Sequence, residues 1–268
     1  MIEIAISLAI IGFALVAIIG VLPIGMNVQK DNREETVINQ DATVFMNAIR
    51  SGAQGLDDLT NYVMAITNYV TVYDPTMTHL VGNPWSEGYT TTNSYTTPYF
   101  LLTNGFRIIG LLSTPKYQPW GGDKTGSGVR SNHVVAYVRS MSGPAFEKFP
   151  QNNQSVQELG FTYRLTSEVL PYGTNYYDPN WTNYTAFPAN SADNILRSNY
   201  WQVANSLQAN LHDVRLTFLW PVLPRGRTGN GGQTFRTLVS GQLLQTNDFG
   251  YPLNPLYFFQ PQTYVKAP

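Results

Sequence analysis

Ile2-Glu3-Ile4-Ala5-Ile6-Ser7-Leu8-Ala9-Ile10-Ile11-Gly12 opens a run that carries no charged residue from Ile4 through Gln29. The run exceeds the roughly 20 apolar residues a helix needs to cross a hydrocarbon core about 30 Å thick. The carboxylate of Glu3 stands directly in front of it. An acid at the lip of such a helix is costly to hold in lipid, and charges kept there usually serve a function. Cleavable signal peptides and plain signal anchors normally place Lys or Arg ahead of the apolar stretch. Here nothing basic precedes it, and the first cation is Lys30. The negative leading charge predicts a segment already trimmed at its amino end, with a task more specialised than anchoring.

Beyond Lys30-Asp31-Asn32-Arg33-Glu34-Glu35 the run becomes amphipathic. Ile38, Ala42, Phe45, Ile49, Gly52, Leu56, Leu59 and Val63 recur at spacings of four and three, which keeps one stripe on one helix face. Asn39, Gln40, Asp41, Asn47 and Arg50 are expected on the opposite, polar side. The pattern predicts one helix from the first residues to the low fifties, about 80 Å long at the α-helical rise. Its first half is apolar all round and its second half is half-buried. Gly52 and Gly55 are candidate terminators, and Leu56–Thr67 a second short helical piece. Gly12, Gly20, Pro23 and Gly25 interrupt the apolar half. Pro23 removes a backbone donor and crowds the carbonyl four residues back, so a kink or local unwinding is expected between Gly12 and Gly25. Freed backbone groups need neighbouring protein or water, which predicts a helix packed among others.

From about residue 69 the periodicity shifts towards two. The expected strands are Tyr69–Tyr73, Tyr99–Thr103, Phe106–Ser113, His133–Arg139, Gly160–Glu168, Val214–Trp220 and Thr234–Leu244. Long Gly-, Pro-, Asn- and Thr-rich loops, Asn83–Pro98, Pro115–Gly128 and Pro171–Asn194, separate them and are expected at the surface. The clearest hairpin joins Val214–Trp220 to Thr234–Leu244, with Gly229-Asn230-Gly231-Gly232 supplying turn chemistry. Asp193–Asn210 reads equally as helix or irregular chain. The fold class is therefore α+β: a long N-terminal helix, residues 1–55, packed against an antiparallel β-rich domain with long loops, residues 56–268. The strands should lie on the stripe Ile38, Ala42, Phe45 and Ile49, and the loops Asn83–Pro98 and Pro171–Asn194 should face solvent or a neighbouring subunit.

Composition narrows the function classes. At 268 residues the chain accommodates a membrane helix and one globular domain. A net charge of −1 offers no electrostatic footprint for nucleic acid. Cysteine is absent, which rules out disulfides and thiolate metal sites. Only 12% of residues are charged, while 17 are Tyr and Asn and Thr are plentiful, a composition suited to an extracellular face.

The opening stretch, with Glu3 followed nine residues later by Gly12 inside an apolar helix, resembles the mature N-terminus of type IV pilins and type II secretion pseudopilins. The match covers about the first 25 residues, and the plan of a long helix followed by a β domain fits the rest. The family begins with Phe or Met and carries its Glu fifth, so Glu3 implies either two residues ahead of Met1, the favoured reading, or a shifted register. The family's helix-breaking Pro lies three residues earlier than Pro23, where this chain has Gly20. The resemblance implies processing by a prepilin peptidase, N-methylation and a reservoir in the inner membrane of a bacterium or archaeon. It further implies extraction by an ATP-driven assembly machine into an extracellular helical homopolymer. It points to Glu3, Ile4, Leu8, Ile11, Gly12, Leu15 and Pro23 as subunit-interface residues, with Glu3 pairing with a neighbour's amino terminus.

Chemistry is sparse elsewhere. His79, His133 and His212 are far apart and lack ligand spacing. Gly121–Gly128 lacks the Gly-Lys-Ser/Thr ending of a phosphate loop, and no Gly-x-Ser-x-Gly or metalloprotease His-Glu motif occurs. Asp178, Asn180, Asn183 and Asp193 offer oxygen ligands for calcium but match no EF-hand, and a solvated loop is the favoured reading. Asn153, Asn180 and Asn183 head N-glycosylation triplets. Tyr172, Tyr176, Tyr177, Trp181 and Tyr184 suit sugar stacking, a subunit contact or, more simply, packing of the β domain. No nucleophile, base or metal constellation points to an enzyme and no cofactor is expected. The readings are a pilus subunit, a minor pseudopilin of a secretion system, and a membrane-anchored carbohydrate-binding module.

Overall fold

The computed structural model describes residues 2–91, 99–120, 128–141, 160–172, 202–248 and 251–265. Helix α1 spans Ile2–Ser51. A 3-10 turn, Asp57–Asn61, leads into β1 (Val63–Tyr73), β2 (Trp85–Thr90) and β3 (Tyr99–Leu101). Helix α2 (Gly105–Leu112) follows, then β4 (Tyr117–Trp120), β5 (Gly128–Arg139) and β6 (Thr162–Pro171). Residues 202–210 are helical and run into β7 (Leu211–Val222), β8 (Thr228–Ser240), β9 (Gln242–Asp248) and β10 (Tyr251–Gln260). The architecture is α+β, with a long N-terminal helix and a predominantly antiparallel sheet domain after it.

The main sheet has the order β3-β2-β1-β5-β6-β7-β8, with β4 paired to the start of β5. Every pair in it is antiparallel except β2 with β3. The β9–β10 hairpin forms a separate two-stranded sheet that packs on α1 and α2. Alternation along the strands sends Ile66, Val134, Ala136, Tyr163, Leu165, Val214, Leu216 and Phe218 to one face. Against these lies the α1 stripe: Ile38, Phe45 and Ile49 have no exposed surface and Ala42 is 1% exposed. The anticipated helix–sheet core is present in this form.

Helix α1 ends where Gly52 takes a φ of 62°, a left-handed conformation that disfavours other residues. The Gly52 N–H donates to the Ile49 carbonyl and that of Ala53 to the Ala48 carbonyl, the bond pair of a Schellman cap. Leu59 and Val63 belong to the core but arrive there from the 3-10 turn and β1, so Leu56–Thr67 is not a second α-helix.

Other expectations are corrected. Phe106–Ser113 is not a strand but helix α2 and its cap. An apolar run of that length has no period to separate the two, and packing decides. Gly110 lets the Leu256 and Phe258 side chains sit where a β-carbon would be. Asn83–Pro98 is not all loop, since β2 within it places Glu87 and Tyr89 in the interior. Likewise β4 lies inside Pro115–Gly128. Thr228–Gly232 pairs with β7, so Gly229-Asn230-Gly231-Gly232 is strand, and Gly231 makes room for the Trp220 indole. The reversal is made instead by Pro224–Gly226, with Arg225 at φ 66°. Thr234–Leu244 is broken at Gly241, φ 118°, into β8 and β9. Finally, α1 is helical throughout Gly12–Gly25, so the expected unwinding does not occur. Among the described residues this half of the helix has no neighbour to take up freed backbone groups. Keeping the remaining ladder costs less than opening it.

Candidate interaction surface

The two halves of α1 meet different surroundings. Val37 is the first buried residue along the helix, and everything described before Glu34 is exposed. Among the described residues, fourteen large apolar side chains from Ile2 to Val28 stand in the open, including Ile4 (66%), Leu8 (65%), Ile11 (56%), Phe13 (80%) and Leu15 (52%). They lie on every side of the helix. A soluble monomer rarely leaves a contiguous apolar patch beyond a few hundred Å², and a helix apolar all round is ordinarily buried in lipid or protein. Length and composition alone would also let this helix cross a membrane.

Glu3 lies in the first turn of α1, where the helix dipole favours an acid. Ser7 Oγ donates to the Glu3 carbonyl at 2.8 Å, so its hydroxyl is satisfied without a partner molecule. Around Gly12 and Gly20 nothing lies within 4 Å of a β-carbon position, which leaves room for a close approach by another helix. Ile4, Leu8, Ile11, Gly12 and Leu15 all belong to this bare segment. Pro23 is within the same helix, with its side chain outside the described residues. Lys30 and Glu34, 3.7 Å apart, mark the upper boundary of the uncharged run.

The domain's polar interior holds groups that periodicity did not reveal. Asp41, expected on the polar face of α1, is fully buried. Its Oδ2 accepts the Met141 N–H at 2.9 Å and the Tyr163 hydroxyl at 3.0 Å. Burial, with the Asp41 charge beside it, pushes the Tyr163 phenol well above its usual range, so it stays protonated and donates. Glu87 and Arg130 form a buried ion pair joined by Asn68 and Asn132. The signal for this cluster was register: Asn68 alternates with Ile66 and Val70, and Arg130 and Asn132 with Val134, on core-facing positions. Asp213 accepts from both Arg215 and Arg236, each at 2.7 Å. These are structural pairings that hold strands together.

The histidines do not converge. His79 lies in an exposed turn whose backbone N–H groups donate to Asp74, His133 lies on the outer sheet face, and His212 is buried edge-on to Phe259. Burial lowers the His212 pKa to about 4. Among the described residues no group of three or more His, Asp or Glu gathers as a metal site. Asn153, Asp178, Asn180, Asn183 and Asp193, with Tyr176, Tyr177, Trp181 and Tyr184, lie outside the described residues. Tyr172 is 41% exposed. Comparison with family models, curated proteins and solved structures finds no match.

Proposed function

We propose that the chain is a pilin-like structural subunit that polymerises through the bare half of α1 into an extracellular filament. The observation that carries this reading is the division of one continuous helix. Residues from Val37 to Ile49 pack into the domain, and those from Ile2 to Val28 are left exposed by the described residues. Before assembly, lipid covers the apolar half; in the filament, other copies of the same half do. Exchanging lipid for helix brings little hydrophobic gain, so close packing at positions such as Gly12 and Gly20 and a matched charge at Glu3 set the association. The resemblance of the first 25 residues to type IV pilins and pseudopilins supports the same reading. It supplies the accessory partners: a prepilin peptidase, an ATP-driven assembly machine and the inner membrane as reservoir.

The test is Glu3→Ala in cells that produce and assemble the chain. Sheared filament yield should fall sharply while the β domain keeps its fold in membrane extracts. Normal filaments from this variant would count against the proposal. Protein that stays a membrane-held monomer and retains affinity for polysaccharide would favour an anchored binding module instead.

A further inference from the structure

Because α1 is uninterrupted from Ile2 to Ser51, heights along it are fixed by residue number. Lys30 stands 27 residues above Glu3, about 40 Å at the α-helical rise. Everything between them is uncharged. In a filament all copies point the same way, related by a head-to-tail operation. A parallel neighbour displaced by less than that length sets Glu3 against uncharged side chains. A displacement of 27 residues is the first to bring a cationic side chain level with it.

Lys30 is suited to this contact. Its side chain is 68% exposed, and its one described ion pair is an i,i+4 contact at 3.7 Å with Glu34, whose own side chain is 12% exposed, so the ammonium keeps donors for a second carboxylate. It also lies one turn below Glu34, where cover of the helix begins, and every described residue before Glu34 is exposed, so another helix can reach it. We infer that, in the filament proposed above, Glu3 of one copy pairs with Lys30 of a second copy displaced by about 40 Å along the axis. The displacement sets one uncharged run directly above the next. The apolar column is then continuous, and its charges meet only at the joints. Such a pair fixes axial register more than it adds stability.

The experiment uses the full chain in filament-producing cells and three variants: Glu3→Lys, Lys30→Glu and the double exchange. Each single reversal should cut sheared filament yield by about tenfold or more, since it leaves like charges facing each other. The double exchange should restore most of it. Because the chain has no cysteine, Ile2→Cys and Asp31→Cys chains produced together should give a disulfide-linked dimer in filaments. That second measurement stands even where the charge variants fail to insert. Lys30→Gln filaments at parental yield, a double exchange no better than its singles, or cysteine filaments without the cross-link would each overturn the pairing. Those outcomes would leave Glu3 to another partner, such as a neighbour's amino group. Absence of filaments from the parent chain would remove the polymer reading itself.

Discussion

The lower and upper halves of α1 share one backbone ladder and nearly opposite surroundings. Above Val37, Phe45 and Ile49 are sealed beneath the sheet, and the helix's buried carboxylate, Asp41, accepts two donors from the domain. Below Glu34 an equally apolar surface lies bare, headed by the carboxylate of Glu3. Helical hydrogen bonding therefore does not decide which half is stable in water; what lies opposite each half does. The upper half has its partner inside the chain, and the lower half is left uncovered by the described residues.

The comparison is broken most severely by placing a charge in the sealed half. Phe45→Asp buries an unpaired carboxylate and removes a large side chain, a loss of about 5 kcal/mol or more. It should leave no cooperative unfolding transition in detergent. A stably folded β domain in that variant would show that the helix is not its core. Next in size is Asp41→Ala, which strands the Met141 N–H and the Tyr163 hydroxyl and should cost about 3 kcal/mol in denaturant titration.

Acid provides a milder perturbation of the same interior. The folded-state pKa of His212 is lowered to about 4 by burial, from an ordinary value near 6.5. The unfolded chain therefore binds the extra proton first, and stability falls as pH drops from about 6.5 through about 4. The loss from this group is about 3 kcal/mol at most. His212→Asn should flatten that part of the pH profile. The smallest effect on stability belongs to the bare half. Phe13→Ala should change domain stability by less than about 0.5 kcal/mol, yet reduce filament yield. If Phe13→Ala destabilised the domain as much as Asp41→Ala, the contrast between halves would fail.

What could be read in advance follows the same division. Ile38, Ala42, Phe45 and Ile49 were legible because a helix with one buried face repeats at three and four. The bare half was legible because 26 uncharged residues in a row admit few structures. Helix α2 was not, since Gly105–Leu112 is buried on nearly every side and carries no period. Strand β2 was hidden because Glu87 looks like a loop residue until Arg130, 43 positions away, is brought beside it. Asp41 misled for the same reason. Its two donors come from residues about 100 and 122 positions distant, a pairing no local pattern encodes. In the lower half of α1, the helical apolar run was legible and its continuity through Pro23 was not.

Electron cryo-microscopy of filaments sheared from producing cells tests the central claim most directly. The account predicts that residues 2–29 form the filament core, each copy's apolar run covered by those of its neighbours, with the β domains outside. Filaments in which that segment touches no other copy, or a chain found only as a membrane-bound monomer, would contradict it.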